Sequence, residues 1–289
     1  MRIVCGFLVA LILLGCEKDI DIQLDPTAAS LVVDATIEND LPPVVFLSNS
    51  LDYFGKIDPK VLSSSFIRNA RVNISDGSST VALTQDSIVN AGGTVVFYTT
   101  SGTSLFFRGK LNTSYTLTIE TGGKSYTAKT TVPELTRQID SLWWEKIPLA
   151  KDTNDVQIKL KGKDRPGLGD YIRYYTRIGK GAFLPGFNSV FDDQIIDGTS
   201  YTVSVDKGFD KNAEFSDSTA FFRKGDTVTV KICNIDKVTY DFWRTYEFSF
   251  QSIGNPFSSP TKILGNISNG ALGYFGGYAA QYRSIIIPK

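Results

Sequence analysis

The sequence predicts a mainly β chain: an N-terminal Ig-like or carboxypeptidase-regulatory-like β-sandwich, then a second β-rich domain with one amphipathic helix. Three observations carry that prediction. Short runs of alternating apolar and polar residues recur along the chain, cut by Pro, Gly and Asp-Gly pairs. Two such runs flank Gly122-Gly123, a pair free to take positive φ in a tight hairpin. A four-residue aromatic period occurs in one place, residues 237–252.

In chain order, residues 1–15 read as a lipoprotein signal peptide. Arg2 precedes an apolar run, residues 3–14, of signal-peptide length and well short of a membrane span. Leu13-Leu14-Gly15-Cys16 resembles a bacterial lipobox, in which the Cys thiol takes the lipid and cleavage occurs before it. Leu14 is bulkier than the usual residue there. The bland alternative, a buried N-terminal helix or strand, fits poorly with the acidic stretch that follows. Residues 16–29 are a lipidated tether in which Glu17, Asp19, Asp21 and Asp25 interleave with Ile20, Ile22 and Leu24. That pattern suits an export signal, a solvated linker or a first edge strand.

Residues 30–133 form the expected sandwich. Leu31-Val32-Val33-Asp34-Ala35-Thr36-Ile37 and Val44-Val45-Phe46-Leu47-Ser48 read as strands separated by Pro42-Pro43. Ala70-Arg71-Val72-Asn73-Ile74-Ser75 alternates and stops at the turn pair Asp76-Gly77. In the hairpin, Tyr115, Leu117 and Ile119 share one face, and Tyr126 and Ala128 return on the inward side. Residues 134–155 read as a hinge-like junction with Trp143 and Trp144 as packing. Residues 156–289 form the second domain. Strands are expected over 156–160, 171–178 and 227–232, with long loops over 179–226. The helix over 237–252 has Asp236 as N-cap, an apolar face of Val238, Phe242, Trp243, Tyr246 and Phe250, and Gly254 as its stop. A Gly-, Asn- and Tyr-rich tail, 266–282, precedes a last strand near 284–287.

Composition removes whole classes of chemistry. The 289 residues contain no His, which excludes Ser–His and Cys–His catalysis and His-ligated zinc. Thirty basic residues balance thirty acidic ones, and no basic stripe exists to attract nucleic acid. Of three Cys, Cys5 leaves with the signal and Cys16 takes the lipid. Cys233 is then a packed thiol with no disulfide partner.

Several blocks carry a resemblance to a known family. They are Cys16-Glu17-Lys18-Asp19-Ile20-Asp21, Leu31-Val32-Val33, Gly122-Gly123-Lys124-Ser125-Tyr126-Thr127-Ala128 and Asp170-Tyr171-Ile172-Arg173-Tyr174-Tyr175. The most specific are Asn255-Pro256-Phe257, Gly265-Asn266-Ile267 and Asn269-Gly270-Ala271-Leu272-Gly273-Tyr274-Phe275. Together they resemble a family of Bacteroidetes outer-membrane lipoproteins, the domain of unknown function 4249. The family usually has Asn where Asp170 stands. The resemblance implies a TonB-dependent outer-membrane receptor as partner, and it supplies no catalytic residues.

The residues themselves offer little further chemistry. Asp192-Asp193 with Asp197, and Asp206, Asp210, Asn212, Glu214 and Asp217, could hold Ca²⁺, but neither set has EF-hand spacing and solvated loop charge is the plainer reading. Paired carboxylates could hydrolyse a glycoside only at a set separation, which sequence does not give. The expectation is a non-catalytic outer-membrane lipoprotein without cofactor or metal. It is anchored through Cys16 and acts as an accessory or docking subunit of a TonB-dependent receptor. A stand-alone surface binder of glycan or peptide is the alternative, and a hydrolase a distant third. Phe257, Tyr274, Phe275 and Tyr278 are the expected partner contacts, in competition with core packing.

Overall fold

The computed structural model describes residues 29–51, 59–90, 92–148, 150, 152–210, 221–255, 257–259 and 261–289. The signal segment, Cys16 and nearly all of the tether lie outside them.

The strands in the first half are β1 (Leu31–Glu38), β2 (Val44–Asn49), β3 (Arg71–Ser75), β4 (Thr80–Asn90), β5 (Gly93–Thr99), β6 (Thr113–Thr121) and β7 (Lys124–Val132), with a short helix α1 (Pro59–Ser65). The second half has β8 (Gln138–Lys146), β9 (Asp155–Lys163), β10 (Tyr171–Ile178), β11 (Leu184–Phe191), β12 (Ser200–Val205), β13 (Phe222–Arg223), β14 (Thr227–Ile235), the helix α2 (Lys237–Gln251) and β15 (Leu272–Ile286). The chain is mainly β, as the alternation predicts.

Eleven strands follow one hydrogen-bonded path, β11-β10-β14-β15-β1-β2-β5-β4-β3-β6-β7. Only the β1–β15 pair is parallel; the other neighbours run antiparallel. β4 turns the corner: Thr80–Leu83 pair with β3, whereas Thr84–Asn90 pair with β5. The sheet thereby folds back on itself, and β7 lies over β15. Inward residues of both layers share one core, including Val33, Ala35, Leu47, Ile74, Tyr115, Leu117 and Phe275. The hairpin turn is as expected, with Gly122 at φ 56° and Gly123 at φ 71°, the positive pair that a two-residue type I′ turn needs.

Three readings need correction. The junction over 134–155 contains a full strand: β8 pairs along β9, and Trp144 packs on the second core. The stretch 179–226 contains β11, β12 and β13, whose Gly, Pro and Asp content masked their alternation. The tail 266–282 is for the most part β15, which lies between β14 and β1 in the middle of the sheet. Its glycines are there for close approach. A Cβ on Gly277 would lie 2.3 Å from the Thr131 carbonyl oxygen of β7.

Because β15 is central, Tyr274, Phe275 and Tyr278 are buried, at 4%, 0% and 3% exposure. They are not surface contacts. Phe275 points into the sandwich core, and Tyr274 and Tyr278 pack under α2 with Phe242 and Cys233. Phe257, by contrast, is 95% exposed. The expected boundary between 30–133 and 156–289 is crossed by a continuous sheet.

α2 begins where Asp236 caps it: the carboxylate accepts from the Thr239 N–H at 2.9 Å. Its second oxygen accepts from the Thr131 N–H and the Thr130 hydroxyl of β7, so the same cap fixes the helix to the sandwich. The buried side is Thr239, Tyr240, Phe242 and Glu247, rotated from the purely apolar face, and Val238 is exposed. No helix among the described residues is long and apolar enough to cross a membrane.

Candidate functional site: an apolar cavity with a polar floor and rim

The interior of the second half lies between two layers. β8, β9, β12 and β13 form a separate sheet that covers one face of β10 and β14. Val156, Ile158 and Leu160 meet Val228, Val230 and Ile232 across the gap. Towards β12 the layers leave space: a cavity of about 570 Å³, within the roughly 300–1,000 Å³ typical of small-ligand pockets. Leu160, Ile172, Val190, Val205, Val230 and Ile232 make its walls. Phe191, Ile195 and Val203 form an exposed apolar lip.

Arg137 is the most deeply buried polar residue of the lining, at 1% exposure, and forms its floor. Its Nε donates to Asp164 Oδ1 at 2.7 Å and its Nη2 to the Asp170 carbonyl at 3.0 Å. Nη1 has no partner among the described residues. A buried guanidinium nitrogen without an acceptor is costly, and because Nη1 has almost no accessible surface that cost is borne within the packed floor. Tyr201 also lines the cavity, and burial raises its phenol although Arg137 opposes the shift. Tyr174 reaches in from β10. Gly186 makes room for it, since a Cβ there would lie 2.0 Å from the Tyr174 hydroxyl.

The rim holds a short hydrogen-bond chain. Tyr240 donates to Asp192 Oδ2 at 2.9 Å and accepts from Arg244 Nη1 at 3.2 Å. Burial, with Asp192 adding to it, pushes the Tyr240 phenol up to about 12. Asp206 adjoins the Tyr174 phenol on the rim, where its charge and its backbone both act on that group. Partial burial desolvates its carboxyl and raises its pKa, although the residue as a whole remains exposed.

The acidic clusters separate. Asp193 and Asp197 come together with Asp164, which the sequence reading did not mark, with carboxylate oxygens within 4.8 Å of one another. Two of them tie down a glycine-rich loop: Asp193 accepts from the Gly169 and Asp170 N–H groups, and Asp197 from the Gly167 N–H. Asp192 turns away to Tyr240. In the second cluster Asp206 reaches the cavity, while Asn212, Glu214 and Asp217 lie outside the described residues. Cys233 is fully buried, and burial pushes its thiol up to about 12, consistent with an inert packed group. Arg137 sits in the stretch read as a hinge, where nothing in the local pattern distinguishes it from a surface Arg. Of the β10 residues, Ile172 and Tyr174 line the cavity, whereas Arg173 stacks over Trp243.

A family model, described as a domain of unknown function and named DUF4249, matches residues 17–284. The chain belongs to the DUF4249 family. That match reaches every strand of both sheets and stops at residue 284, inside β15, so the cavity of this DUF4249 chain lies inside the family's own domain. No curated protein matches the chain.

Proposed function

We propose that this DUF4249 chain is a non-catalytic bacterial lipoprotein of the outer membrane, of the kind found in Bacteroidetes. In this reading Cys16 carries the lipid, and the cavity captures a small apolar ligand on behalf of a TonB-dependent receptor. The cavity is the observation that carries the reading: it is ligand-sized, largely apolar and supplied with a few polar groups at floor and rim. Its lining combines Leu, Ile and Val with Tyr174, Phe191, Tyr201 and Tyr240, and that mainly apolar surface suits an apolar ligand. The lipid anchor rests on Leu13-Leu14-Gly15-Cys16, and the receptor on the family resemblance.

The neutral dye N-phenyl-1-naphthylamine, which fluoresces on entering apolar sites, tests the cavity. The wild-type chain should bind it saturably, and Val203→Trp, which fills the lip, should abolish the signal without lowering the melting temperature. Undiminished fluorescence in that variant would place the dye elsewhere and remove the reading. The anchor has its own test. Radiolabelled palmitate should enter the wild type and not Cys16→Ser.

A further inference from the structure

The described chain enters the sandwich at one end of the sheet. The Ser30 N–H donates to the Ser50 hydroxyl at 3.0 Å and the Ser30 carbonyl accepts from the Ser50 N–H at 2.8 Å, so the entry point sits beside the end of β2. β5 runs antiparallel to β2, and β4 antiparallel to β5, which brings Gly93 and Val89 to that same end. α1 is fastened there too. The Ser63 hydroxyl donates to the Thr94 carbonyl and accepts from the Thr94 N–H, and Thr94 pairs with Val89. On the other side of β1, Leu272 pairs with Val32. Four large apolar side chains therefore line this end: Leu62, Ile88, Val89 and Leu272, at 46%, 58%, 78% and 52% exposure. Clustered exposed apolar side chains mark a contact surface. The residues at the strand ends beside them, Ser30, Asn49 and Ser50, carry no charge whose desolvation would oppose burial.

What covers this end follows from what precedes it in the chain. Residues 17–28 separate Cys16 from the first described residue, and a segment of that length spans at most about 45 Å. With lipid on Cys16, the entry end is the part of the sandwich nearest the anchor along the chain. A contact too weak to recruit a free protein suffices once an anchor has raised its local concentration. We propose that Leu62, Ile88, Val89 and Leu272 form a membrane-docking edge, which dips into the boundary between lipid headgroups and acyl chains and sets the sandwich with its entry end on the bilayer. The proposal rests on the lipid anchor of the reading above and adds an orientation and a second membrane contact to it.

A fluorophore at residue 89 reads that contact. Val89→Cys gives the lipidated chain a single reactive thiol, because Cys5 leaves with the signal, lipid occupies the Cys16 sulfur and burial keeps the Cys233 thiol protonated. The polarity-sensitive dye NBD is attached there, and in a parallel Phe106→Cys chain, and both chains are reconstituted in phosphatidylcholine vesicles. Phe106 is 92% exposed and lies past the opposite end of β5, so it matches residue 89 in apolar character but not in position. The dye at residue 89 should shift to the blue and lose most of its emission when spin-labelled phosphatidylcholine is included. The dye at residue 106 should do neither. Leu62→Asp together with Ile88→Asp should remove the quenching at residue 89 while the chain still floats with the vesicles. Equal quenching at both positions, or quenching that survives the two aspartates, overturns the docking edge. So does a blue shift at residue 89 without lipid quenching, which would mean that the tether or a second copy of the chain covers it. If the chain floats and residue 89 stays in water, this inference falls and the anchor stands. If the chain does not float, the anchor falls and this inference with it.

Discussion

At the scale of single residues, exposure separates two aromatics that sequence placed together. Phe257 and Tyr274 both belong to a Gly- and aromatic-rich tail. Tyr274 stacks on Phe242 with ring centroids 4.3 Å apart and meets Trp243 edge-on at 5.0 Å, whereas Phe257 is 95% exposed. Tyr274→Ala should therefore cost about 3–5 kcal/mol in urea unfolding, as large-to-small changes in a packed core do. Phe257→Ala should stay within about 0.5 kcal/mol. Matching losses at both positions would mean that the loop carrying Phe257 is packed after all. A second residue sets a pH dependence. The Ser78 hydroxyl, followed by the Ser79 N–H, holds the Asp76 carboxyl well below the usual carboxylate range. A depressed folded-state pKa stabilises above the unfolded value, about 4, and that contribution disappears as the pH falls. The stability gap between wild type and Asp76→Asn should be full at pH 6 and shrink from about pH 5 to about pH 2. A gap constant over that range would show that the carboxylate charge is irrelevant to the turn.

At the scale of elements, what was legible depended on whether a segment buries one face or two. β1, β3, β6 and β7 each bury one face, so their side chains alternate and the sequence declares them. α2 was legible from its aromatic period and from Asp236. β15 was hidden because it is buried on both sides over Tyr274–Ala280, under α2 and against β7, and small residues replace the alternation there. β11 and β12 were hidden by Pro185, Gly186 and a run of polar residues. The β4–β5 hairpin was not marked because Ile88 and Val89 are adjacent and exposed, which breaks the period of two. The cavity needs side chains from β9, β10, β12 and β14 at once, and no local pattern encodes that convergence. Gly277 tests the account of β15. Gly277→Ala places a methyl 2.3 Å from the Thr131 carbonyl oxygen, so the two layers must separate, at a cost of ~2–4 kcal/mol. Gly123→Ala has nothing within 4 Å and pays only for φ 71°, about 1 kcal/mol. If the two variants unfolded at the same urea concentration, close packing of β15 on β7 would not be what the glycine is for.

At the scale of the whole molecule, the last strand joins the two halves. β15 pairs with β1 in parallel, Val33 opposite Gly273, and with β14 on its other edge. Phe275 and Ala279 complete the sandwich core, while Tyr274, Tyr278 and Ala280 complete the core under α2. The sandwich thus closes only after nearly the whole chain has been made, a long-range contact that slows folding. Residues 29–133 contain every other strand of the sandwich but lack this one. Expressed alone, they would expose the β1 edge and leave a void where Phe275 belongs, which invites pairing with other chains. That fragment should be aggregated or unfolded by size-exclusion chromatography and circular dichroism, and a peptide of residues 265–286 added in trans should recover a soluble, cooperatively unfolding species. A fragment that is monomeric and unfolds cooperatively without the peptide would show that the sandwich is an independent domain, and that β15 merely docks on it.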